Sequence, residues 1–361
     1  MNDKNEQLED ADISDRKDDH IELTAKEEVE ARGKTTLLEE VEFFHDSLPE
    51  LSLDDVDLSC EVFGQTLQAP LLISGMTGGA ERARRINHDL AKVAQELDIA
   101  FGVGSQRALM DDPSLVDTYR VREVAPDIVL LGNIGGVQVA ESEPAEIGEL
   151  VDMIDADALA VHLNPGQELM QPEGDRDFRG CVDGIAALVE TLDVPVVVKE
   201  TGCGLAPPAL DKLRDTGVEW VGTSGAGGTT WIGVETLRTP AEERSVGDIF
   251  WDWGVPTAAC IGFAHRRGFN VIGSGGLRSG YDAARALALG ANMAGMALPW
   301  LRAAYNEGYE AALEFGHTTI DALKTACVLT GSENIDELRS VQTRIGPTLR
   351  DWLQRDPLTQ P

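Results

Sequence analysis

In VHLNPGQELMQPEGDRDF (161–178) an apolar run gives way within a few residues to His162, Asn164, Gln167 and Glu168. Polar groups of that kind are costly to leave unpaired beside a core, so the strand end is building a surface for something polar. Glu168 offers the hard oxygen that Mg2+ prefers, and Mg2+ commonly completes its shell with substrate phosphates and water. Taken alone, Glu168 reads first as a helix-start carboxylate stabilised by the helix dipole. Gln167 is a neutral amide, suited to positioning a substrate and poor as a base. Lys199 ends the apolar strand of VVVKETGCG (196–204). An ammonium there needs a charged partner or a ligand. It can form a Schiff base, balance negative charge on a cofactor ring, or sit in a structural ion pair.

Two glycine-rich turns, GSGGLRSG (273–280) and TSGAGGTTW (223–231), precede GMALPWL (295–301). Glycines let backbone N–H groups approach an anion, and a helix opening there adds positive potential. With Ser224 and Thr229 they suit a cofactor phosphate such as that of a flavin mononucleotide; the bland reading is a loop without a ligand. SGMTGG (74–79), Ser105 and Asn133 supply small groups for lying against a planar ring. Cations are scarce, so Arg16, Lys17 and His20 in SDRKDDHIEL (14–23) and Arg107 in GSQRA stand out as donors for a diphosphate. The alternative for RKDD is a solvated charge cluster.

These residues sit where short Val-, Ile- and Leu-rich runs end. The runs are 70–76, 99–105, 128–135, 158–165, 194–201, 219–225, 269–276 and 291–298. Amphipathic stretches such as ERARRINHDLAKVAQEL, PAEIGELVDMI, GCVDGIAALVETL, APPALDKLRDTG and GYDAARALALG lie between most of them. Alternation of this kind is the βαβ pattern of a parallel sheet. Eight units over about 230 residues predict an α/β fold, a (β/α)8 TIM barrel, in preference to a doubly wound open sheet. Residues 1–15 are polar, acidic and aperiodic and are expected to be a disordered arm, with 16–361 a single barrel domain that ends in a C-terminal helical extension.

The formal net charge is −33, with eight lysines against twenty-two arginines. That charge repels nucleic acid and anionic lipid and argues against both as partners. Acidic residues continue through DMIDADALA and GSENIDELRS, so the charge is not only a tail, and a lysine-poor acidic surface points to a halophilic source. No apolar run approaches the ~20 residues that span a bilayer. The N-terminus is acidic where a signal peptide is basic and then apolar, which predicts a cytoplasmic protein. Cys60, Cys181, Cys203, Cys260 and Cys327 lack CxxC spacing and read as free thiols.

From about Arg16 to past Leu301 the chain resembles the type 2 isopentenyl-diphosphate isomerases, a flavin-dependent family. RKDDHI, SGMTGG, GVGSQRA, LGNIGG, HLNPGQE, VVVKETGCG, TSGAGGTTW, GSGGLRSG and GMAL stand in the family's order. The resemblance implies an FMN-bearing barrel that converts isopentenyl diphosphate to dimethylallyl diphosphate in isoprenoid biosynthesis. It also implies Mg2+, reduced flavin with NAD(P)H as reductant, and a homotetramer or homo-octamer; with the acidic surface, a halophilic archaeon is the expected source. Carried over motif by motif, Met76, Thr77, Gly78, Ser105, Asn133, Lys199, Ser224, Thr229, Gly275, Gly276, Leu277, Arg278, Ala297 and Leu298 look like flavin contacts. Arg16, Lys17, His20, Ser105, Gln106, Arg107, Asn164 and Gln167 look like substrate contacts; His162 is placed with them, although a supporting role is equally open. Glu168 looks like the Mg2+ ligand. Gln167 and Glu235 look like a proton relay, with Lys199 balancing charge on the reduced ring.

An FMN-dependent 2-hydroxy-acid oxidase shares the barrel, but it typically carries a His-Gly-(Gly/Ala)-Arg segment, and TSGAGG holds no histidine. A non-catalytic flavin-binding barrel is expected to have lost the diphosphate or metal residues, yet Arg16, Lys17, Gln167 and Glu168 are all present. The chain departs from the family at VGTSG, where many relatives carry an acidic and a branched residue, and in its longer acidic arm.

Overall fold

The structure is a computed structural model that describes residues 17–240 and 244–359. The arm expected at 1–15, and Arg16, lie outside the described residues.

Eight strands close into a barrel: β1 (Leu71–Ile73), β2 (Ala100–Gly102), β3 (Leu130–Gly135), β4 (Ala158–Leu163), β5 (Val196–Glu200), β6 (Trp220–Gly222), β7 (Asn270–Ser274) and β8 (Met293–Met296). Every neighbouring pair is parallel, and β8 returns to β1 with Met296 opposite Ile73. This is the (β/α)8 architecture that eight alternating runs predict. The strands are shorter than the apolar runs, because the last residues of each run leave the ladder as the loops that carry Gly, Ser and Asn.

The floor of the barrel is apolar. Leu72, Ala100, Leu131, Ala158, Val197, Ile272 and Met293 cluster with Val62 and Leu67 of the antiparallel pair Cys60–Val62 and Gln65–Leu67. Phe63, at the tip of that hairpin, meets Trp220 edge to face at 4.9 Å. Most of these barrel residues come from strand beginnings, so the hairpin plugs the N-terminal end and leaves the other end for chemistry.

Outside the ring, the helices Glu81–Leu97 and Pro144–Ile154 coincide with their amphipathic stretches. The C-terminal extension is Leu298–Glu307, the 22-residue helix Tyr309–Thr330, Ile335–Ser340 and Pro347–Gln354. The long helix packs on Glu81–Leu97, Gly280–Ala288 and Leu298–Glu307. It comes so close that a methyl on Gly280 would strike the Thr319 carbonyl oxygen. Val41–Phe43 pairs antiparallel with Thr343–Ile345.

A helix over 17–26 precedes the barrel and lies at the mouth. It is tied down by Arg302, which donates to the Glu27 carbonyl at 3.0 Å, and by exchange of backbone bonds between 29–31 and the loop after β6: Thr230 N to Val29 O and Ala31 N to Gly228 O, both 2.9 Å. Among the described residues no helix is long and apolar enough to cross a membrane.

Candidate active site

The C-terminal strand ends surround an open cavity of about 1660 Å3, counted with the solvent space at its mouth. Its wall takes Met76, Thr77 and Gly78 after β1, Ser105 and Arg107 after β2, and Asn133 on β3. His162, Asn164, Gln167 and Glu168 come from β4 and its loop, and Lys199 from β5. Ser224 and Thr229, the Gly275–Arg278 turn, and Ala297 with Leu298 complete the ring. The helix over 17–26 adds Lys17, His20, Ile21 and Thr24, spaced so that one helical face covers the cavity.

Gln167 and Glu235 meet, and of the two only Gln167 lines the cavity. Glu235, on the helix Trp231–Arg238, has no solvent exposure. Gln167 Nε2 donates to its Oε1 at 3.0 Å, Arg238 Nη1 donates to Oε2 at 2.8 Å, and His20 Nε2 stands 2.9 Å from Oε1. Burial alone would raise this carboxyl; His20, Arg238 and Gln167 overcome that and hold it at about 2. An acceptor-only carboxylate fixes which way the Gln167 amide faces. His20 packs edge to face on Trp231, with ring centroids 5.2 Å apart.

His162 is fixed by Asn133. The Asn133 amide gives its Nδ2 to Val103 O at 3.0 Å, so its Oδ1 is the acceptor for His162 Nδ1 at 2.9 Å. The proton therefore sits on Nδ1 and the Nε2 lone pair is left over. Burial, with the neighbouring Lys199 and Arg107 charges, lowers His162 to about 3, so it is a neutral acceptor. Lys199, opposite His162 in the ladder, donates to the Glu200 carbonyl at 3.2 Å, and burial lowers it to about 8. Gly222 is its neighbour on β6, where any Cβ would come within 2.8 Å of the Lys199 Cβ.

Glu168 lies in the first turn of the six-residue helix Pro165–Met170 and is buried on the cavity wall. Its Oε1 accepts from Asn164 Nδ2 at 2.7 Å and its Oε2 from Asp175 N at 2.8 Å. Each oxygen keeps a lone pair. Among the described residues no three His, Cys, Asp or Glu side chains group as a metal cage. A divalent cation here would depend on one carboxylate, ligand oxygens and water, which is the habit of Mg2+.

The anion donors sit together. Lys17 Nζ donates to Tyr119 Oη at 2.7 Å and to Ser105 O at 3.3 Å, and Arg107 reaches Asp175 at 3.4 Å. Farther round, Leu298–Glu307 opens on the cavity wall beside the Gly275–Arg278 turn without a side-chain cap, so its first N–H groups have no side-chain acceptor of their own. Ser224 holds a positive φ of 36° there, and its N–H donates to the Ser274 hydroxyl at 3.0 Å. This wall fits a cofactor phosphate. Arg278 is also on it, with its guanidinium paired to Glu30.

Gln106 corrects an expectation. Placed in sequence among the substrate contacts, it is fully buried and turned away: Nε2 donates to Leu150 O at 2.7 Å and Oε1 accepts Asn133 N at 2.9 Å. It holds up the Asn133 loop. Sequence reasoning also passed over Thr24, Gln138, Trp231, Ser274 and Met296, all on the cavity wall. Trp231 was within reach, since it closes the TSGAGGTTW motif.

The FMN-dependent dehydrogenase family matches residues 164–344. The chain is 45% identical over 345 residues to an isopentenyl-diphosphate delta-isomerase of Methanothermobacter thermautotrophicus, covering 95% of this chain and 96% of the relative. It is 44% identical to the protein of that name from Nostoc, over 91% and 95% of the two chains. The one from Halobacterium salinarum is 42% identical, over 94% and 96%. Mandelate oxidase bound to 3,3-difluoro-2-hydroxy-3-phenylpropionic acid superposes with a TM-score of 0.64 at 17% identity, over 94% of this chain and 99% of that one, a likeness of fold alone.

Proposed function

Since the chain belongs to the isopentenyl-diphosphate delta-isomerase family, on the barrel of the FMN-dependent dehydrogenases, we propose that it converts isopentenyl diphosphate to dimethylallyl diphosphate with bound FMN. The observation that carries this is the meeting of Lys17, His20 and Arg107 with Gln167 and Glu168 in one cavity with the glycine-rich turns.

Isomerisation adds a proton at one end of a three-carbon unit and removes one from the other, with no net redox change. When bound and reduced, FMN supplies the proton donor and acceptor against that unit. The chain does the rest. Lys17, His20 and Arg107 bind the diphosphate, and Glu168 would hold Mg2+ beside them to offset its charge, so the alkene is delivered in one orientation. Asn164 orients Glu168 through its 2.7 Å bond. Gln167, aimed by Glu235, faces the alkene and steers a proton at its amide. Met76, Ile21, Trp231 and Leu301 keep water from that part of the cavity. The Lys199 ammonium favours negative charge beside it, and the Nε2 lone pair of His162 accepts from a donor on the ligand. Glu235 acts through Gln167 and is a positioning residue.

The proposal extends to NAD(P)H as reductant, to a homotetramer or homo-octamer, and to work in the salty cytoplasm of a halophilic archaeon. To test it, the protein is purified in high salt and examined for a flavin spectrum. It is then given isopentenyl diphosphate anaerobically with Mg2+ and NADPH. Dimethylallyl diphosphate is the expected product; none from flavin-loaded, reduced protein refutes the reading.

A further inference from the structure

Glu200 is a buried carboxylate at the end of β5 for which the proposed chemistry has no use. Its Oε2 accepts four successive backbone N–H groups: Thr201 and Gly202 at 2.7 Å, Gly204 at 3.0 Å, and Cys203 between them. For the chain to curl round a single oxygen, Gly202 and Gly204 take φ of 152° and 80°. The curl places Thr201 and Gly202 on the cavity wall, and Lys199 beside it bonds the Glu200 carbonyl. Four convergent N–H dipoles form a nest that selects a negative charge.

We propose that Glu200 is a positioning residue whose carboxylate shapes the 201–204 wall and whose charge keeps Lys199 in its ammonium form. The groups facing the pair are few. On the cavity side stand His162 from β4 and Arg107 from the loop after β2, while β6 presents Gly222, which has no side chain. On the other side Glu200 acts on Cys203 and Cys260, which also feel Lys34. Burial pulls Lys199 down and Glu200 resists that pull. Burial likewise pushes Glu200 up, and its four N–H donors resist. Burial is the larger influence on each, so Lys199 stays below and Glu200 above its ordinary value, and the contact between them runs from the Lys199 ammonium to the Glu200 carbonyl. The assignment rests on the isomerase reading only where turnover is the readout.

The test uses the FMN-bound holoprotein labelled with 13C-lysine, following Lys199 against pH. Its signal is identified by its loss in Lys199→Met. Glu200→Gln keeps the shape and removes the charge. The Lys199 midpoint is expected to fall by about one pH unit, the low end of what an adjacent opposite charge contributes. The alkaline limb of turnover should move with it. Glu200→Asp keeps the charge but withdraws it from the nest; its Lys199 midpoint should stay near that of the parent while FMN binding weakens. An unchanged midpoint in folded Glu200→Gln overturns the proposal. If that variant does not fold, a Glu200→Asp midpoint lowered by a full pH unit overturns it instead. A parent protein without turnover would sink the isomerase reading and leave the titration to decide this one.

Discussion

Replacing Glu235 by Gln removes one proton-binding charge from a site where three donors converge. The carboxyl is displaced from 4.5 to about 2, a difference worth roughly 3 kcal/mol of folding stability at neutral pH. Since the folded value is the lower one, that contribution is complete above about pH 4.5 and is lost as pH falls toward 2. In Glu235→Gln the amide can still accept from Gln167, but its N–H2 then faces Arg238, a donor set against a donor. Arg238 retains Glu173 at 3.4 Å and Asp19 at 4.0 Å, so the measured loss should be about 2–3 kcal/mol. Denaturant unfolding of parent and variant in parallel at pH 7, 5 and 3, in constant high salt, reads it. The gap between them should be full at pH 7 and 5 and smaller at pH 3. Turnover should fall at least tenfold, because Gln167 loses its fixed aim, while KM should rise less than turnover falls, because His20 rests on Glu235 but Lys17 and Arg107 do not. A stability gap that is the same at all three pH values, or a variant as active as the parent, refutes this account of Glu235.

Three more outcomes follow from the geometry. Glu168→Gln should raise the Mg2+ concentration needed for half-maximal turnover by about tenfold or more and leave FMN affinity unchanged, as magnesium titrations and flavin fluorescence will show. Gln106→Ala should cost about 1–3 kcal/mol by stranding Leu150 O and Asn133 N, with a KM for isopentenyl diphosphate within about threefold of the parent; a large KM rise at intact stability would restore it as a substrate contact. Gly280→Val should lower the thermal midpoint markedly, since the helix carrying Thr319 must move away by roughly 1–3 kcal/mol of strain or more.

How far the molecule was legible in its sequence depends on how local the relevant physics is. Glu81–Leu97 and Pro144–Ile154 stand where the amphipathic pattern puts them, because period and end signals act over a few residues: Asp98 and Asp155 close these helices in left-handed conformations, and Pro144 opens the second. The eight runs likewise announce eight strands. Gln106 went astray because Ser105, Gln106 and Arg107 leave the strand together, and no pattern tells which of three polar side chains turns inward. The ring of N–H groups round Glu200 leaves no trace in composition, since backbone donors have no letter. The pairing of Arg278 with Glu30 joins residues 248 positions apart, beyond any spacing argument.

The roof over the mouth also orders events in time. Residues 27–31, which follow the helix over 17–26, are held by Gly228, Thr230, Arg278 and Arg302, which lie some two hundred or more positions farther along the chain. A chain made only as far as β5 therefore lacks the bonds that fix 27–31, although Lys17 already has Ser105 and Tyr119 to meet. The cover over the cavity is fixed only after β6 and β7 exist, so an early segment is among the last to find its place.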